Sequence, residues 1–575
     1  MTPALSPRIL RGRRSPATLL GRNAELLSLD VFGLALQPTF LDDGDRHDLV
    51  ASIVAKRFPA MASEYRPLRE QAERKARAAA AIRDIGEAPL AVISDHLHEL
   101  LLDAVEPDDA SAIARLSIDT EIELGRMLGR PNPDALELHR QARERGIATA
   151  MVADTPLPRD LVDRIVRACG YLPDHVLVSS NEGRRKGGGL FQRLVAKTGV
   201  TAGAVVHFGP DQELDVEVPR RLGIAGYLAP APGDSAPQVV LGLGAPGGLD
   251  SLALTLANRH LTRTASRAER GFDVGYYAAG PLLVGFAAWL GSEIDRLEPD
   301  RVLLCGRIGP LVDRTLDILR PDLPVEGRHV LTPTPDGRCP VDRLAGQEPL
   351  REAERVLVGG LGLFDEPHRY AQKILNADGA GPEVRGAYVG LPNAPDASAA
   401  VWAFDDADDC EVRSAAYRRP EVLEALLRLL PPSPQDLEPG LRPFHTEAAH
   451  LAAGAEMFAE DIEPWLQLDH DGFSAVMIEP ALRVIVDPTA TEARVLAPYP
   501  IRGESGEQPA HRLAVLPPRT LAARRPGMID AAAGDAAWAE GYQALAGERP
   551  HLLPGRGRRR SAPVGRQRPG GGSAA

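Results

Sequence analysis

A short apolar run that ends near a single carboxylate constrains the fold of this chain more than any other stretch. Residues 26–36 read Leu-Leu-Ser-Leu-Asp-Val-Phe-Gly-Leu-Ala-Leu, and Asp30 stands close to the point where the run meets a glycine. Strands buried on both faces of a parallel sheet read this way, and open α/β sheets hold ligands at the carboxyl ends of their strands. The run therefore predicts a buried parallel strand with a site at its tip, although an Asp in this place can also simply cap a turn.

The chain up to about residue 230 predicts an α/β fold built on a doubly wound parallel sheet. Further apolar strands are predicted at residues 147–154, 175–180, 204–209 and 223–228, and helices at 161–169 and 190–198. Strands that alternate with helices and end in polar residues are typical of such a sheet. Between the first two strands, residues 47–146 have helical spacing and predict an all-helical insertion.

A second α/β domain is predicted at residues 250–430, beyond a Pro- and Gly-rich linker at 231–249. Its predicted elements are helices at 280–297 and 311–319 and strands at 301–305, 355–358, 386–390 and 400–404. A smaller C-terminal region, residues 431–550, is predicted to contain a strand at 481–486.

Composition and charge exclude several classes of function. A net charge of −13 argues against a general binder of nucleic acid or anionic membranes. The four cysteines form no CxxC pair, which disfavours zinc and disulfides and suits a reducing cytoplasm. No apolar run approaches the ~20 residues of a membrane-spanning helix. The chain is therefore predicted to be soluble and cytoplasmic, with disordered tails at residues 1–22 and 551–575.

The residues around Asp30 also carry a family resemblance. Asp30-Val31-Phe32 resembles the first motif of the haloacid dehalogenase (HAD) superfamily, in which a strand-end Asp is the nucleophile. More narrowly, it is similar to the HAD-like proteins of bacterial cell-surface polysaccharide gene clusters, whose motif reads roughly Phe-Asp-Val-Phe-Asp-Thr-Leu. Gly33 and Leu34 stand where that motif has Asp and Thr. The resemblance implies a HAD-like core over residues 23–230, with a helical cap at about 45–145 that covers the site.

Two later segments resemble the second and third motifs of that family. Residues 153–158, Ala-Asp-Thr-Pro-Leu-Pro, are similar to Ser-Asp-Met-Tyr-Leu-Pro, with Ala in place of the Ser that binds phosphate. The resemblance implies that Asp154 and Thr155 bind substrate. Residues 179–191 are similar to Ser-Ser-x-x-Gly…Lys-x-x-Gly-x-Leu-Phe, and the resemblance implies that Lys186 is the catalytic lysine. One residue is missing from the spacing, so Arg185 is the alternative.

Residues 207–215, His-Phe-Gly-Pro-Asp-Gln-Glu-Leu-Asp, resemble the metal-binding motif His-Ile-Gly-Asp-Asn-x-x-Ser-Asp. The resemblance implies a Mg²⁺ site formed by Asp30, Asp211 and Asp215, with Gly209 beside the substrate. Pro210 occupies the metal-ligand position, and Asp211 follows one residue late. A one-residue shift re-aims a carboxylate, and Mg²⁺ demands close to ideal geometry.

Two functions from different classes stay open at this point. The first is a HAD-type hydrolase of a phosphorylated sugar or similar metabolite in surface-glycan biosynthesis, with glycan-assembly proteins as partners and with Asp30 and Lys186 as catalytic residues. The second is a catalytically degenerate HAD-like binding or scaffold protein. Residues 302–309 also resemble a later family segment, Phe-Leu-x-Arg-Asp-Gly, with Ile308 in place of the Asp. The loss of polar motif residues at Ala153, Leu34, Pro210 and Ile308 favours the second function. Metal-free dehalogenase-like chemistry is a third, more superficial match to the Asp-Val-Phe-Gly sequence.

Overall fold

The structure of the protein is a computed structural model. It describes residues 20, 23–37, 44–83, 85–127, 129–229, 248–262, 270–305, 308–323, 327–331, 350, 352–360, 366–376, 381–389, 399–401, 426, 445–466, 473–496, 500–501 and 511–512.

The first domain is built on a parallel sheet of five strands. They are β1 (Leu26–Asp30), β2 (Ala148–Ala153), β3 (His175–Val178), β4 (Val205–Gly209) and β5 (Ala225–Leu228). The order is β3-β2-β1-β4-β5, so β1 is central and Asp30 pairs in register with Val152 of β2. All five residues of β1 are buried, as its continuous apolar sequence predicts.

Four of the helices between β1 and β2 form the helical insertion, called the cap below. They are α1 (Asp45–Arg57), α2 (Tyr65–Ile82), α3 (Leu90–Leu101) and α4 (Pro107–Met127). The cap contains a buried ion pair: Arg69 of α2 donates to both carboxylate oxygens of Glu121 in α4, at 2.7 and 3.0 Å. This bidentate pairing satisfies two charges that would otherwise be costly to bury.

Helices cover both faces of the first sheet. The remaining helices of this domain are α5 (Pro133–Glu144), α6 (Arg159–Ala168), α7 (Ser179–Glu182), α8 (Leu190–Thr198) and α9 (Val218–Arg221). Because strand side chains alternate between faces, Leu27 and Leu29 pack with the helices α5 and α6, whereas Leu26 packs with Phe191 of α8. The predicted doubly wound α/β sheet with a helical insertion is confirmed.

The second α/β domain is also confirmed. Its strands are β6 (Arg301–Cys305), β7 (Arg328–Leu331), β8 (Arg355–Gly360), β9 (Glu383–Tyr388) and β10 (Ala399–Val401), all parallel in the order β10-β9-β8-β6-β7. The helices in and around it are α10 (Gly248–Thr262), α11 (Arg270–Val274), α12 (Gly280–Leu297), α13 (Gly309–Leu319) and α14 (Glu366–Leu375). The predicted C-terminal region, residues 431–550, contains α15 (His445–Leu466), α16 (Glu479–Val486) and α17 (Ala490–Leu496), and its division from the second domain stays a prediction. A short antiparallel pair, β11 (Pro500–Ile501) and β12 (His511–Arg512), follows.

One helical segment in the described part of the chain, Arg270–Leu297, is long and apolar enough to cross a membrane. It consists of α11, a π-helical turn at Gly275–Ala279, and α12. Within the protein it is a core helix, because its most apolar 18-residue stretch is 94% buried. It packs closely against α15, where a Cβ added to Gly275 or to Gly454 would lie 2.1 Å from a backbone oxygen of the other helix.

The cap shares a hydrophobic core with the second domain. Helix α1 packs on α10, Leu49 and Leu252 belong to one buried cluster, and the Ser251 hydroxyl donates to Asp45 at the start of α1. A Cβ on Gly248 would lie 2.3 Å from the Leu49 nitrogen, so the two segments approach at backbone distance.

Two details differ from the sequence predictions. The predicted strand at residues 481–486 is wrong: this segment lies in α16, with Pro480 in the first turn and Arg483 buried against Glu492 of α17. The sequence pattern alone cannot decide whether a short run rich in β-branched residues is a buried strand or part of a buried helix. Strand β7 was not predicted. Residues 1–19, 21–22 and 551–575 of the predicted tails and residues 231–247 of the predicted linker lie outside the described residues, whereas Leu20 is described and fully buried.

Candidate functional site

The strand-end carboxylate of Asp30 lies at the centre of the carboxyl edge of the first sheet. Its side chain is buried, with 3% of the residue exposed. The chain turns sharply after it, because the Ala35 N–H donates to the Asp30 carbonyl oxygen at 2.9 Å and Gly33 has a φ of +103°. The turn leaves Phe32 38% exposed, next to a buried carboxylate.

Lys186 provides the positive charge of the site. It begins a short 3-10 turn, Lys186–Gly188, that follows α7, and it is itself 5% exposed. Its Nζ donates to Asp30 Oδ1 and, at 2.6 Å, to Asp215 Oδ1. Of the two alternatives that the motif spacing left open, Lys186 therefore contacts Asp30, whereas the Arg185 side chain lies beside Glu87 and Asp154.

Two further groups hold Asp215 in place, and a third residue supports one of them. His207 of β4 lies with Nε2 3.1 Å from Asp215 Oδ1, and the Asp211 N–H donates to Oδ2 at 3.0 Å. The Ser28 hydroxyl lies 2.8 Å from His207 Nδ1 on the neighbouring strand β1. Burial lowers the pKa of His207, so the neutral ring donates from Nε2 to Asp215 and accepts from Ser28.

Gly209 is the residue that makes room for Asp215. A Cβ built on Gly209 would lie 2.3 Å from Asp215 Cγ and 2.4 Å from its Oδ2, so no larger residue fits beneath this carboxylate. Asp215 itself lies on a π-helical turn, Gln212–Glu217. The predicted substrate-binding role of Gly209 stays a prediction; in this structure its surface is covered by Asp215.

Asp154 and Thr155, the other predicted substrate-binding residues, organise the loops around the site. The Asp154 carboxylate accepts the Lys186 backbone N–H at 2.9 and 3.1 Å, and burial raises its pKa. The Thr155 hydroxyl accepts from the Leu157 N–H at 3.3 Å, while the Thr155 N–H donates to the Ser179 hydroxyl at 2.9 Å. Their substrate contacts stay predictions.

The donor set around Asp30 does not fit a magnesium ion. Asp211 Oδ1 accepts the Glu213 and Leu214 N–H groups at 2.8 and 2.7 Å, which commits this exposed carboxylate to capping the following turn. Both oxygens of Asp215 have protein donors, and the Lys186 ammonium already bridges Asp215 and Asp30. Among the described residues no group of three or more His, Cys, Asp or Glu side chains could hold a metal ion. The magnesium site stays a prediction without support from these side chains.

Two departures from the family motifs lie against each other. A Cβ on Gly33 would lie 3.0 Å from Pro210 Cγ, so the Pro210 ring covers the position where a side chain at residue 33 would begin. Both positions carry an acid in the motifs that this chain resembles. Their joint replacement puts an apolar contact where two carboxylates were expected.

The charged groups of the site shift one another's pKa values. Burial raises the pKa of Asp30 to about 7, against the opposing effect of Lys186. Burial also acts to raise the pKa of Asp215, but the His207 hydrogen bond and the Lys186 charge outweigh it and hold this pKa well below its usual range. The two carboxylates in turn raise the pKa of Lys186 despite its burial. Asp215 is therefore the permanent anion, Lys186 the permanent cation, and Asp30 the group that titrates near neutral pH.

One oxygen of Asp30 is unpaired. Asp30 Oδ1 is paired with Lys186, whereas Oδ2 is buried and has no hydrogen-bond partner among the described residues. An unpaired buried carboxylate oxygen is costly to stability, so its presence at the carboxyl end of a central strand is typical of a functional group. Chemically, the arrangement offers a nucleophilic oxygen whose carboxylate is oriented and partly neutralised from the other side.

No protein-family model matches this sequence, and no curated protein matches it either. Solved structures resemble part of the chain. A 2-haloacid dehalogenase from Pseudomonas syringae pv. tomato DC3000 is 15% identical, with 35% of this chain and 84% of that chain covered and a TM-score of 0.29. The L-2-haloacid dehalogenase from Xanthobacter autotrophicus is 17% identical, with 37% and 79% covered and a TM-score of 0.26.

A protein described as a predicted phosphoglycolate phosphatase from Haemophilus somnus 129PT is 17% identical, with 37% of this chain and 91% of that chain covered and a TM-score of 0.25. All three are dehalogenases or phosphatases by their descriptions. At these identities and TM-scores, the likeness decides neither the family nor the activity of this chain.

Sequence reasoning missed two residues of the site. Ser28 is a polar residue inside an otherwise apolar strand, and that interruption was a usable signal. Glu87 is 1% exposed and contacts Arg185, but nothing in its local sequence distinguishes it from the many other acids of the cap.

Proposed function

We propose that this protein is a HAD-like hydrolase in which Asp30 is the nucleophile and Lys186 neutralises the developing charge. The observation that carries the proposal is the asymmetry of the Asp30 carboxylate. Lys186 engages Oδ1, and Oδ2 is left without a partner in the described part of the chain. A carboxylate that is held by one oxygen and free at the other is oriented for in-line attack.

For a phosphoryl substrate the reaction would proceed in two displacements. Asp30 Oδ2 attacks phosphorus, the bond from phosphorus to the leaving oxygen breaks, and that oxygen keeps the electron pair and takes a proton from solvent. Water then attacks the phosphorus of the aspartyl-phosphate, which releases phosphate and restores the carboxylate. Lys186 balances charge at Asp30 throughout, and Asp215 and His207 keep Lys186 in place.

The substrate class is proposed from the sequence resemblance alone. We propose a phosphorylated sugar or a similar metabolite, in the assembly of a bacterial surface glycan, with glycan-assembly proteins as partners and the cytoplasm as location. Phe32 stands where HAD phosphatases have a general-acid Asp. Without a proton donor at that position, substrates with good leaving groups would react fastest.

A second candidate is a binding protein that keeps the HAD-like architecture without turnover. The contact between Gly33 and Pro210 and the commitment of Asp211 to a turn favour this candidate, because both remove acids from the site. Both changes leave the cluster of Asp30, Lys186 and Asp215 intact, and for this reason the hydrolase is the first proposal.

Phosphate release from p-nitrophenyl phosphate and a panel of sugar phosphates separates the two candidates. The full chain would be assayed beside Asp30→Asn and beside Asp119→Asn, whose exposed carboxylate lies on cap helix α4. The hydrolase predicts release by wild type and Asp119→Asn and none by Asp30→Asn. Equal background in all three folded proteins would leave the binding protein as the better account.

A further inference from the structure

A short segment of the cap lies directly on the two loops that carry Lys186 and Asp154. The Gly86 N–H donates to the Gly183 carbonyl oxygen at 2.8 Å, and the Leu90 N–H donates to the Pro156 carbonyl oxygen at 2.9 Å. A Cβ on Gly86 would lie 3.0 Å from the Arg185 nitrogen. Cap and lysine loop therefore meet backbone to backbone, with no space for an intervening side chain.

Glu87 carries charge across this contact. It is 1% exposed, and its two carboxylate oxygens face two different arginines. Oε1 accepts from Arg77 of cap helix α2 at 3.3 Å, and Oε2 lies 3.5 Å from Arg185 Nε on the lysine loop. A carboxylate buried to this degree is tolerated only while its cationic partners stay in place.

Arg185 connects Glu87 to Asp154, which lies beside the site. Its Nε lies 3.7 Å from Asp154 Oδ2, and the same carboxylate accepts the backbone N–H of Lys186. Contacts thus run from Glu87 through Arg185 and Asp154 to Lys186. The Nζ of Lys186 bridges Asp30 and Asp215. Neither Glu87 nor Arg185 contacts Asp30, so neither is a candidate for the chemical step itself.

We propose that Glu87 of the cap is a positioning residue for Lys186, acting through Arg185 and Asp154. Without its carboxylate, Arg185 loses its buried partner, the loop at residues 183–186 loosens, and Lys186 no longer holds Asp30 in its reactive orientation. Because a displacement of about 1 Å is enough to lower turnover strongly, the effect on reaction rate exceeds the effect on substrate affinity. The catalytic part of this inference rests on the proposed hydrolase function; the positioning part does not.

The test has one arm that needs no turnover. Lysine labelling by reductive methylation, followed residue by residue by mass spectrometry, reports how well Lys186 is protected in the full-length protein. Glu87→Ala and Glu87→Gln should speed labelling of Lys186 by about fivefold or more, the factor that corresponds to losing one modest contact. Glu70→Ala is the matched control, since Glu70 lies on cap helix α2, as Arg77 does, and pairs with Arg66 and Arg74 of that helix.

The second arm uses turnover. If wild type hydrolyses a phosphate ester, Glu87→Gln should lower kcat more than it raises KM and should shift the pH midpoint of the rate, because Lys186 sets the charge beside Asp30. Arg185→Gln, a change at a side chain that is 44% exposed, should reproduce both effects and serves if the Glu87 variants do not fold.

The outcomes are distinguishable. Faster Lys186 labelling in the Glu87 and Arg185 variants but not in Glu70→Ala supports the positioning role even if no substrate is hydrolysed, in which case only the proposed hydrolase fails. Unchanged labelling of Lys186 in folded Glu87→Gln and Arg185→Gln overturns the inference, whatever the activity.

Discussion

The carboxylate of Asp215 occupies the space directly over Gly209, where a Cβ would lie 2.3 Å from its Cγ. This contact lets the acid reach Lys186 from a π-helical turn that follows β4. Gly209 is thus a structural requirement for the charge cluster, which explains why a glycine stands at the tip of β4.

Gly209→Ala should displace Asp215 and detach it from Lys186. We expect a loss of about 1–3 kcal/mol in the free energy of unfolding, as for other overpacked core positions, together with the loss of any hydrolysis that depends on Asp30. Denaturant unfolding measures the first effect. Gly203→Ala is the control, because a Cβ there meets nothing within 4 Å; equal stability of the two variants would contradict the account.

The rate of hydrolysis should rise with pH through about 7. Burial raises the pKa of Asp30 to about 7, and the attacking form is the deprotonated one, so the active fraction grows as pH rises through that value. No loss from Lys186 is expected at moderately alkaline pH, because its own pKa is raised. A profile of kcat/KM with a substrate that does not titrate in this range tests the expectation, and a rate that falls between pH 6 and 8 would refute it.

Lys186→Met should abolish most activity while keeping the side-chain volume. It leaves Asp30 and Asp215 as two like charges in a buried site, so the pKa of Asp30 should rise further and the rate at neutral pH should drop by about 10²–10³. Initial rates measured at several pH values would show both effects. Lys197→Met, at a lysine that pairs with Glu182 on the domain surface, should leave the rate unchanged.

Hydrolysis should not require a divalent cation. Lys186 bridges the two acids that would otherwise share a metal, and Asp211 is committed to backbone donors. We expect the rate in excess EDTA to stay within about twofold of the rate with added Mg²⁺, less than the effect of losing one ordinary contact. Activity that disappears in EDTA and returns only with Mg²⁺ would show that the cluster rearranges around a metal.

Much of the fold was predictable because the strands of the first sheet are buried on both faces. Strand β1 and its neighbour β2 are short, predominantly apolar runs, and such runs alternating with helices leave few alternative folds. The same logic failed at residues 481–486, where a buried helix has as few polar residues as a buried strand.

Site residues were predictable from the sequence where a motif's spacing identifies them. They were not predictable where their role depends on contacts between distant parts of the chain. Lys186 followed from its flanking glycines and the Leu-Phe pair. The turn made by Asp211 depends on two backbone N–H groups whose direction only the fold determines, and Glu87 reaches Arg185 across 98 residues of sequence because the cap folds back onto the sheet.

The most direct test of the central claim is to trap the covalent intermediate. Wild-type protein would be mixed with a reactive phosphate ester or acyl phosphate, quenched, and treated with borohydride, which reduces an aspartyl-phosphate to homoserine that mass spectrometry can locate. The account predicts homoserine at residue 30 in wild type and none in Asp30→Asn. Turnover without any modification of Asp30, or equal turnover by Asp30→Asn, would contradict it.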